Sequence, residues 1–207
     1  RKIAILSSLI SGQQVDFEDI YTEGITKITK EDMIYAKKMG MTIKLLASSK
    51  RDGDHLHAIV APALLGSEHP LYNVNGVFNA VFVNGNMLGD AMFCGSGAGK
   101  LPTASAVVAD VVDCAKNKGR NIMMSWSEEK LNLLQIDDVK SRFFVRVSGH
   151  AAERQSEIEE LFGKVEIVAV PSLSEEFAFI TGEITEQEYR EKAEKLDGIQ
   201  SRIRARI

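Results

Sequence analysis

The residue types that could do chemistry are concentrated between residues 93 and 109, where three glycines at alternate positions precede an apolar stretch. Gly95, Gly97 and Gly99 are followed closely by Pro102. Glycine lets the backbone take positive φ angles and approach another group closely, and proline suits the first turn of a helix. The free N–H groups at a helix start favour an anionic or strongly polar ligand. The spacing therefore predicts a ligand-facing loop or, as the simpler alternative, a tight connection between a strand and a helix.

This loop differs from the two common nucleotide-binding motifs. A dinucleotide fingerprint needs a βαβ unit around it and an acidic residue about twenty positions further on, whereas this loop follows the second strand of a predicted hairpin. A phosphate-binding P-loop ends in Gly-Lys-Ser or Gly-Lys-Thr, and here Leu101 follows Lys100. Neither motif therefore assigns a ligand to the loop.

The cysteines and histidines predict no metal site. Cys94 and Cys114 stand outside any Cys-x-x-Cys pattern, and we expect two buried free thiols rather than a disulfide. His55 and His57 alternate on a predicted strand and share one face, but a third ligand is missing beside them.

The composition is typical of a globular protein. The chain has 207 residues, of which 44% are hydrophobic, and a formal net charge of −4. This length suffices for one large or two small domains, and the mild acidity argues against nucleic acid, which favours a basic partner. Because no apolar run reaches about 18 residues and no signal peptide opens the chain, we expect no membrane span and a cytoplasmic location.

The chain starts within a helical pattern. Ile3, Leu6 and Ile10 recur at helical spacing directly after Arg1, without a capping residue before them. We therefore expect the chain to be a fragment that was cut inside a helix.

Residues 1–118 predict an α+β fold, in which a sheet carries helices mostly on one face. Helices are predicted over 1–11, 29–40 and 102–116, and strands over 19–23, 41–47, 55–62, 76–83 and 88–94, with an Asp-Gly turn at 51–54. Apolar residues of the last helix recur at i, i+3 and i+4, which predicts one buried face. The strand over 76–83 is apolar at successive positions, which predicts burial on both faces, in a homodimer interface or in the core of this chain.

Residues 119–140 have mixed polarity without a clear strand and are predicted to be a linker. Residues 141–207 predict a separate small domain in the order β-α-β-β-α-β, the ferredoxin-like pattern. Its strands are expected over 142–147, 165–170, 176–181 and 200–207, and its helices over 151–161 and 185–196. Thr185 and Glu188 have the spacing of a capping box at the start of the second helix.

Several motifs within residues 1–118 resemble, in the same order, the catalytic part of homoserine dehydrogenase. They are Tyr21-Thr22-Glu23-Gly24-Ile25, Ile43-Lys44-Leu45-Leu46-Ala47, His69-Pro70-Leu71, Gly76-Val77-Phe78-Asn79-Ala80-Val81 and the run from Gly97 to Asp110. The last motif is the most specific. Residues 141–207 resemble, by pattern, an ACT domain, the small regulatory module common at the end of this family.

The resemblance implies an enzyme that interconverts L-homoserine and L-aspartate 4-semialdehyde with NAD(P), in the synthesis of threonine, methionine and isoleucine. The family's catalytic signature ends in a lysine, so the resemblance marks Lys2 as the acid/base residue, whereas the residues alone suggest an exposed lysine at a frayed end. A protonated ammonium group can give a proton to the developing alkoxide as the hydride arrives.

The resemblance also implies where a cofactor and an ion would bind. In the family the glycine-rich loop lies against the nicotinamide cofactor, which carries over to Gly99 with its neighbours Gly97 and Gly95. The family often uses a sodium or potassium ion in the catalytic region, and the stretch where we expect it comprises Glu23, Gly24 and Ile25.

The chain departs from the family pattern at both ends. The aspartate four residues before the catalytic lysine, the acidic substrate-binding stretch and the dinucleotide-binding domain are absent. We therefore expect the chain alone to bind no NAD(P) tightly and to be inactive. In place of the Pro-Gly-Val-like turn of ACT domains stands Ser148-Gly149-His150-Ala151-Ala152. We therefore favour a module that dimerises or merely packs over a module that senses threonine.

Two alternatives to an enzyme fragment stay open on the sequence. One is a stand-alone amino-acid sensor that uses residues 141–207, with residues 1–118 as an interaction scaffold. The other is a structural partner whose sheet only dimerises.

Overall fold

The computed structural model describes residues 1–53, 55–120, 123 and 125–206; Asp54 of the predicted turn and Ile207 of the last predicted strand lie outside this part. The helices are α1 (Lys2–Ser11), α2 (Lys30–Lys38), α3 (Lys100–Lys116), α4 (Ala151–Phe162) and α5 (Glu186–Ala193). The strands are β1 (Gln13–Gln14), β2 (Tyr21–Thr22), β3 (Thr42–Asp52), β4 (His55–Leu65), β5 (Phe78–Gly85), β6 (Gly89–Ser96), β7 (Ser127–Lys130), β8 (Lys140–Ser148), β9 (Glu166–Val168), β10 (Glu176–Ile180), β11 (Ile184–Thr185) and β12 (Ile199–Arg206). Short 3-10 helices cover Phe17–Asp19 and Ile136–Asp138.

Local sequence signals set the helix ends close to where they were predicted. The Thr29 hydroxyl accepts from the Asp32 amide while the Asp32 carboxylate accepts from the Thr29 amide, so a capping box begins α2. Thr185 and Glu188 begin α5 in the same way. Gly12 ends α1 at a φ of 73°, a left-handed conformation that costs glycine little.

The described residues form two compact units. Unit 1 comprises residues 1–66 and 126–207, and unit 2 comprises residues 67–125. These units differ from the predicted division at residues 118 and 141, and the labels catalytic and regulatory for the predicted regions stay predictions. The coarser expectation, a mixture of sheets and helices, is confirmed.

The large sheet of unit 1 is organised around β8. This strand pairs in antiparallel fashion with β10 and β12, and β10 pairs with β9. The order β-α-β-β-α-β is therefore present, with the short β11 added on β8. The sheet then continues, because β12 pairs in parallel with β4, which also pairs with β2 and β3.

The two faces of β8 explain why the C-terminal residues share a unit with the N-terminal ones. Successive side chains of a strand point to opposite faces. Phe143 packs with residues of α4 and α5 on one face, whereas Phe144 packs with Tyr35 of α2 and Leu64 of β4 on the other. The second face of the C-terminal sheet is therefore buried by N-terminal elements.

The predicted linker contains regular structure. The Ser127 amide donates to the Gly12 carbonyl at 2.9 Å and the Leu131 amide donates to the Gln14 carbonyl at 2.8 Å, which joins β7 to β1. Leu133 packs against the core under α1. The expectation of no strand over 119–140 is therefore wrong, because backbone pairing rather than apolar alternation forms β7.

Unit 2 consists of the β5–β6 hairpin, its flanking turns and α3. The hairpin and the helix confirm the predicted elements, but their apolar side chains, among them Phe78, Val81, Val107 and Val111, are exposed. Within unit 2, therefore, neither the face of α3 nor the strand over 76–83 has the burial that was predicted.

Two further observations concern single groups and helices. Cys94 and Cys114 are free, as expected, but exposed rather than buried. No helix in the described part of the chain is long and apolar enough to span a membrane.

The shared core of unit 1 predicts that one substitution weakens it as a whole. Leu64 is 0% exposed and packs between α2 and β8. We expect Leu64→Ala to lower the free energy of unfolding by about 2–5 kcal/mol, because it removes contacts and leaves a cavity. Urea unfolding by circular dichroism, combined with amide hydrogen exchange in β8 and α4, measures this.

Leu45→Ala is the matched control, because Leu45 lies on the neighbouring β3 and is 50% exposed; its effect should be much smaller. If β8 and α4 keep their full exchange protection in Leu64→Ala while α2 and β4 lose theirs, a shared core is excluded.

Candidate active site

Lys2 is exposed at the start of α1, a helix whose other face packs against the core. It is the first residue of α1. The Ser8 hydroxyl donates to the Ala4 carbonyl and accepts from the Val15 amide, both at 2.9 Å. Ala4 is buried in one core cluster with Val15 and Ile20. A lysine with a fixed backbone and an accessible ammonium group is well suited to meet a ligand.

The carboxylate of Glu23, directly after β2, is held by three donors. The Tyr21 hydroxyl donates to Oε1 at 2.6 Å, Arg202 Nη2 lies at 3.0 Å and Arg204 Nη2 at 3.1 Å. Both arginines also pair with Glu186 at the start of α5. These residues, Glu23, Glu186, Arg202 and Arg204, form the Glu23–Arg204 cluster, in which two positive and two negative charges balance.

The sodium or potassium site expected at Glu23, Gly24 and Ile25 stays a prediction. The Glu23 carboxylate is paired with two guanidinium groups, so an ion at this stretch would use backbone carbonyls, the only ligating groups that Gly24 and Ile25 carry. Among the described residues no group of three or more His, Cys, Asp and Glu side chains could hold a metal ion. The structure thus adds an observation about the Glu23 side chain, which forms ion pairs with Arg202 and Arg204.

The cluster lowers the pKa of Glu23. Burial alone would raise this pKa, but the hydrogen bonds from Arg204 and Tyr21 and the charges of both guanidinium groups outweigh burial and lower it to about 2. A carboxyl group whose pKa is lower in the folded state stabilises the fold above its ordinary pKa. That contribution is lost as the pH falls towards the folded-state value.

Glu23→Gln should therefore flatten the acid limb of the stability curve. Between pH 4.5 and pH 2, the wild-type chain should lose on the order of 2–3 kcal/mol through this carboxylate that the variant does not lose. Urea unfolding at a series of pH values measures the difference. Glu160→Gln, an exposed position on α4, is the control, and an acid limb equally steep in Glu23→Gln would refute the assignment.

The surroundings of Gly97 and the backbone angles of Gly99 explain why glycine stands at these two positions of the loop. The Gly97 amide donates to the Val77 carbonyl at 2.9 Å, and a Cβ on Gly97 would overlap the Asn79 side chain. Gly99, the N-cap of α3, has φ 124° and ψ 150°, a region that is essentially restricted to glycine. Gly95, by contrast, has open space around it.

The loop nevertheless leaves a helix start open to a ligand. No side chain caps the first turn of α3, and the residues from Gly95 to Lys100 are exposed. Exposed N–H groups at a helix start suit an anionic group such as a phosphate. A tight connection and a ligand-facing loop are therefore compatible here.

Gly99→Ala should strain this loop, whereas Gly95→Ala should not. An alanine at the φ and ψ of Gly99 costs about 1–3 kcal/mol, which should loosen the first turn of α3. Amide hydrogen exchange of Thr103, whose N–H donates to the Gly99 carbonyl at 3.1 Å, should become faster in Gly99→Ala only. Equal exchange in both variants would show that the backbone at Gly99 is not strained.

The turn between β8 and α4 is held by hydrogen bonds within the chain. The Ser148 amide donates to the Gly198 carbonyl at 3.0 Å and the Gly149 amide donates to the Glu175 carbonyl at 2.8 Å. Arg154 Nη1 donates to the Ser148 carbonyl at 2.9 Å. The amides of Ser148 and Gly149 are thus engaged within the chain, whereas no side chain caps the helix α4 that follows.

Sequence reasoning missed the arginine partners of Glu23. Arg202 and Arg204 stand two residues apart on β12 and share a face, a pattern that is typical of an exposed strand. Arg204 is 181 residues from Glu23, so no local spacing could signal the pair. The candidate residues also divide between the units: Lys2 and Glu23 belong to unit 1, and the glycine-rich loop belongs to unit 2.

Comparison with known proteins decides the family. The family model described as homoserine dehydrogenase matches residues 1–112. The chain belongs to the homoserine dehydrogenase family. The homoserine dehydrogenase of Bacillus subtilis (strain 168) is 40% identical over 151 residues, which cover 71% of this chain and 35% of that protein.

Solved homoserine dehydrogenases share the fold. The one from Thiobacillus denitrificans matches with a TM-score of 0.82 and 30% identity, over 99% of this chain and 52% of that chain. The one from S. aureus, solved at pH 6.0, matches with a TM-score of 0.76 and 25% identity, over 100% of this chain and 52% of that chain. The chain thus spans about a third of the curated relative's length and about half of each solved chain.

The family match confirms the resemblance and disfavours the alternatives. The matched residues 1–112 contain Lys2, the Glu23 segment and the glycine-rich loop. A stand-alone amino-acid sensor would not require these motifs of a dehydrogenase in the same chain.

Proposed function

We propose that this chain supplies the acid/base lysine and the cofactor-facing loop of a homoserine dehydrogenase. The reaction interconverts L-homoserine and L-aspartate 4-semialdehyde with NAD(P) in the cytoplasm, on the route to threonine, methionine and isoleucine. The observation that carries the proposal is the accessible Lys2 at the start of the packed helix α1, within the residues that match the family.

Lys2 handles the proton of this reaction. In the reducing direction its ammonium group donates a proton to the oxygen of the semialdehyde as that oxygen becomes an alkoxide. In the oxidising direction the neutral amine accepts the proton of the homoserine hydroxyl. NAD(P), when bound, accepts or supplies the hydride.

The glycine-rich loop fits a cofactor that lies against the backbone. Gly95 has open space where a side chain would stand, and Gly99 opens α3 with uncapped amides. The role of the loop is to place the cofactor; the groups that choose between NAD and NADP belong to another part of the enzyme.

The chain works as one part of a larger enzyme. It spans 35% of the curated relative's length, and we expect the isolated 207 residues to bind NAD(P) only weakly and to show no turnover. The exposed apolar side chains of β5, among them Phe78 and Val81, support a homodimer in which a second copy covers them.

The C-terminal residues serve packing rather than threonine sensing. In an ACT-like module the turn after the first strand would receive the amino acid, but the amides of Ser148 and Gly149 already bond within the chain. Residues 141–207 instead bury the core that they share with α2 and β4.

Lys2→Ala should abolish turnover by the natural protein that contains these 207 residues. Positioned acid/base groups contribute about 10²–10⁴-fold, so kcat for NADPH or NADH formation from L-homoserine, followed at 340 nm, should fall by at least about 100-fold. Lys2→Arg should fail similarly, because arginine stays protonated.

Lys38→Ala, an exposed position on α2, is the matched control and should keep its full rate. A Lys2→Ala enzyme with more than a tenth of the wild-type kcat would disprove the role of Lys2. Turnover by the isolated 207-residue chain at the rate of the whole protein would disprove its dependence on further residues.

A further inference from the structure

Arg204 connects the last strand of the chain to the segment around β2. It lies on β12 beside Ala63 of β4 and is 3% exposed. Its guanidinium group pairs with Glu186 through Nε and with Glu23 through Nη2, the latter at 3.1 Å. The ring of Tyr21 lies 5.4 Å from the guanidinium carbon. Arg204 therefore holds both the start of α5 and the residues around β2.

The segment held by Arg204 supports the helix that carries Lys2. The Glu23 amide donates to the Val60 carbonyl at 2.7 Å, which fixes the end of β2 on β4. Ile20, directly before β2, is buried and packs in the same core cluster as Ala4. Ala4 lies in the first turn of α1, two residues after Lys2. Arg204 is thus linked to this turn by its ion pair with Glu23, by the short chain segment from Glu23 back to Ile20, and by the core cluster that Ile20 shares with Ala4.

We propose that Arg204 is a positioning residue for Lys2: through Glu23 it fixes β2, and through β2 the first turn of α1. The proposal rests on the proposed function of Lys2. A proton donor must be held within a fraction of an ångström of its working position, and a displacement of about 1 Å can cost roughly 100-fold in rate. The far C-terminal strand thus contributes to catalysis without touching the substrate.

Removal of the pairing should lower kcat and leave KM nearly unchanged. In the natural protein that contains these residues, Glu23→Gln and Arg204→Lys should each lower kcat for L-homoserine by about 10-fold, an intermediate displacement cost. KM should change by less than about twofold, because the proposal moves only Lys2, whose proton transfer acts in the transition state. Tyr21→Phe, which removes only one hydroxyl donor to Glu23, should have a smaller effect of the same kind.

The double variant Glu23→Gln/Arg204→Lys should lose clearly less kcat than the product of the two single losses, because the two residues share one ion pair within the cluster. Leu64→Ala is the control for general loss of stability, since Leu64 packs in a different core cluster from Ala4. Assayed well below its unfolding temperature, it should keep its kcat. Tyr21→Phe keeps the proposal testable if the two charge variants fail to fold.

An unchanged kcat in folded variants of Glu23, Arg204 and Tyr21 would overturn the proposal, as would an equal loss of kcat in Leu64→Ala. Independent, additive losses in the double variant would also overturn it. If Lys2→Ala itself keeps its activity, the proposed function of Lys2 fails instead, so the two failures are distinguishable.

Discussion

The burial of both faces of β8 is the constraint on which the rest of unit 1 depends. One face receives α4 and α5, and the other receives α2 and residues of β4. Arg146 lies on this second face and is 4% exposed; it pairs with Asp32 at 2.8 Å and with Glu176 at 2.9 Å. Asp32 on α2 is 0% exposed and forms its ion pair with Arg146. Because a buried charge without a partner costs several kcal/mol, this pair favours the docking of α2 on β8. The C-terminal strands are therefore complete only with N-terminal elements in place.

A second ion pair of this kind joins β12 to the residue after β2. Asp32 with Arg146 and Glu23 with Arg204 each join an N-terminal carboxylate to a C-terminal arginine. Buried pairs of this kind add little net stability compared with apolar residues of the same size, but a surface that leaves one partner unpaired is strongly disfavoured. Apolar burial supplies most of the free energy of folding. The ion pairs select which surfaces of the two regions meet, and so link the last strand to the helix that carries Lys2.

In unit 2, local backbone constraints explain the loop, but the elements of the unit do not bury their own apolar side chains. Its glycines have local reasons to be glycines, since the backbone of Gly99 lies in a region that other residues avoid and Gly97 lies against Asn79. Its valines on α3, however, remain exposed. An apolar helical stripe indicates that some surface covers it, but not that the same chain provides this surface. The loop conformation is thus explained within unit 2, whereas the elements of unit 2 do not bury its apolar side chains.

The sequence by itself determined the elements and the family. Capping boxes at Thr29 and Thr185, the hairpin alternation and the glycine run are local signals, and they placed the helices, most of the strands and the loop residues correctly. Only the tertiary structure decided which elements share a sheet, that β7 forms, and that the Glu23 carboxylate pairs with Arg204. The reason is physical. Caps and periodicity arise from neighbours within a few residues, whereas the partner of a charge such as Glu23 lies 181 residues away at Arg204 and is chosen by the packing of strands whose pairing no local pattern encodes.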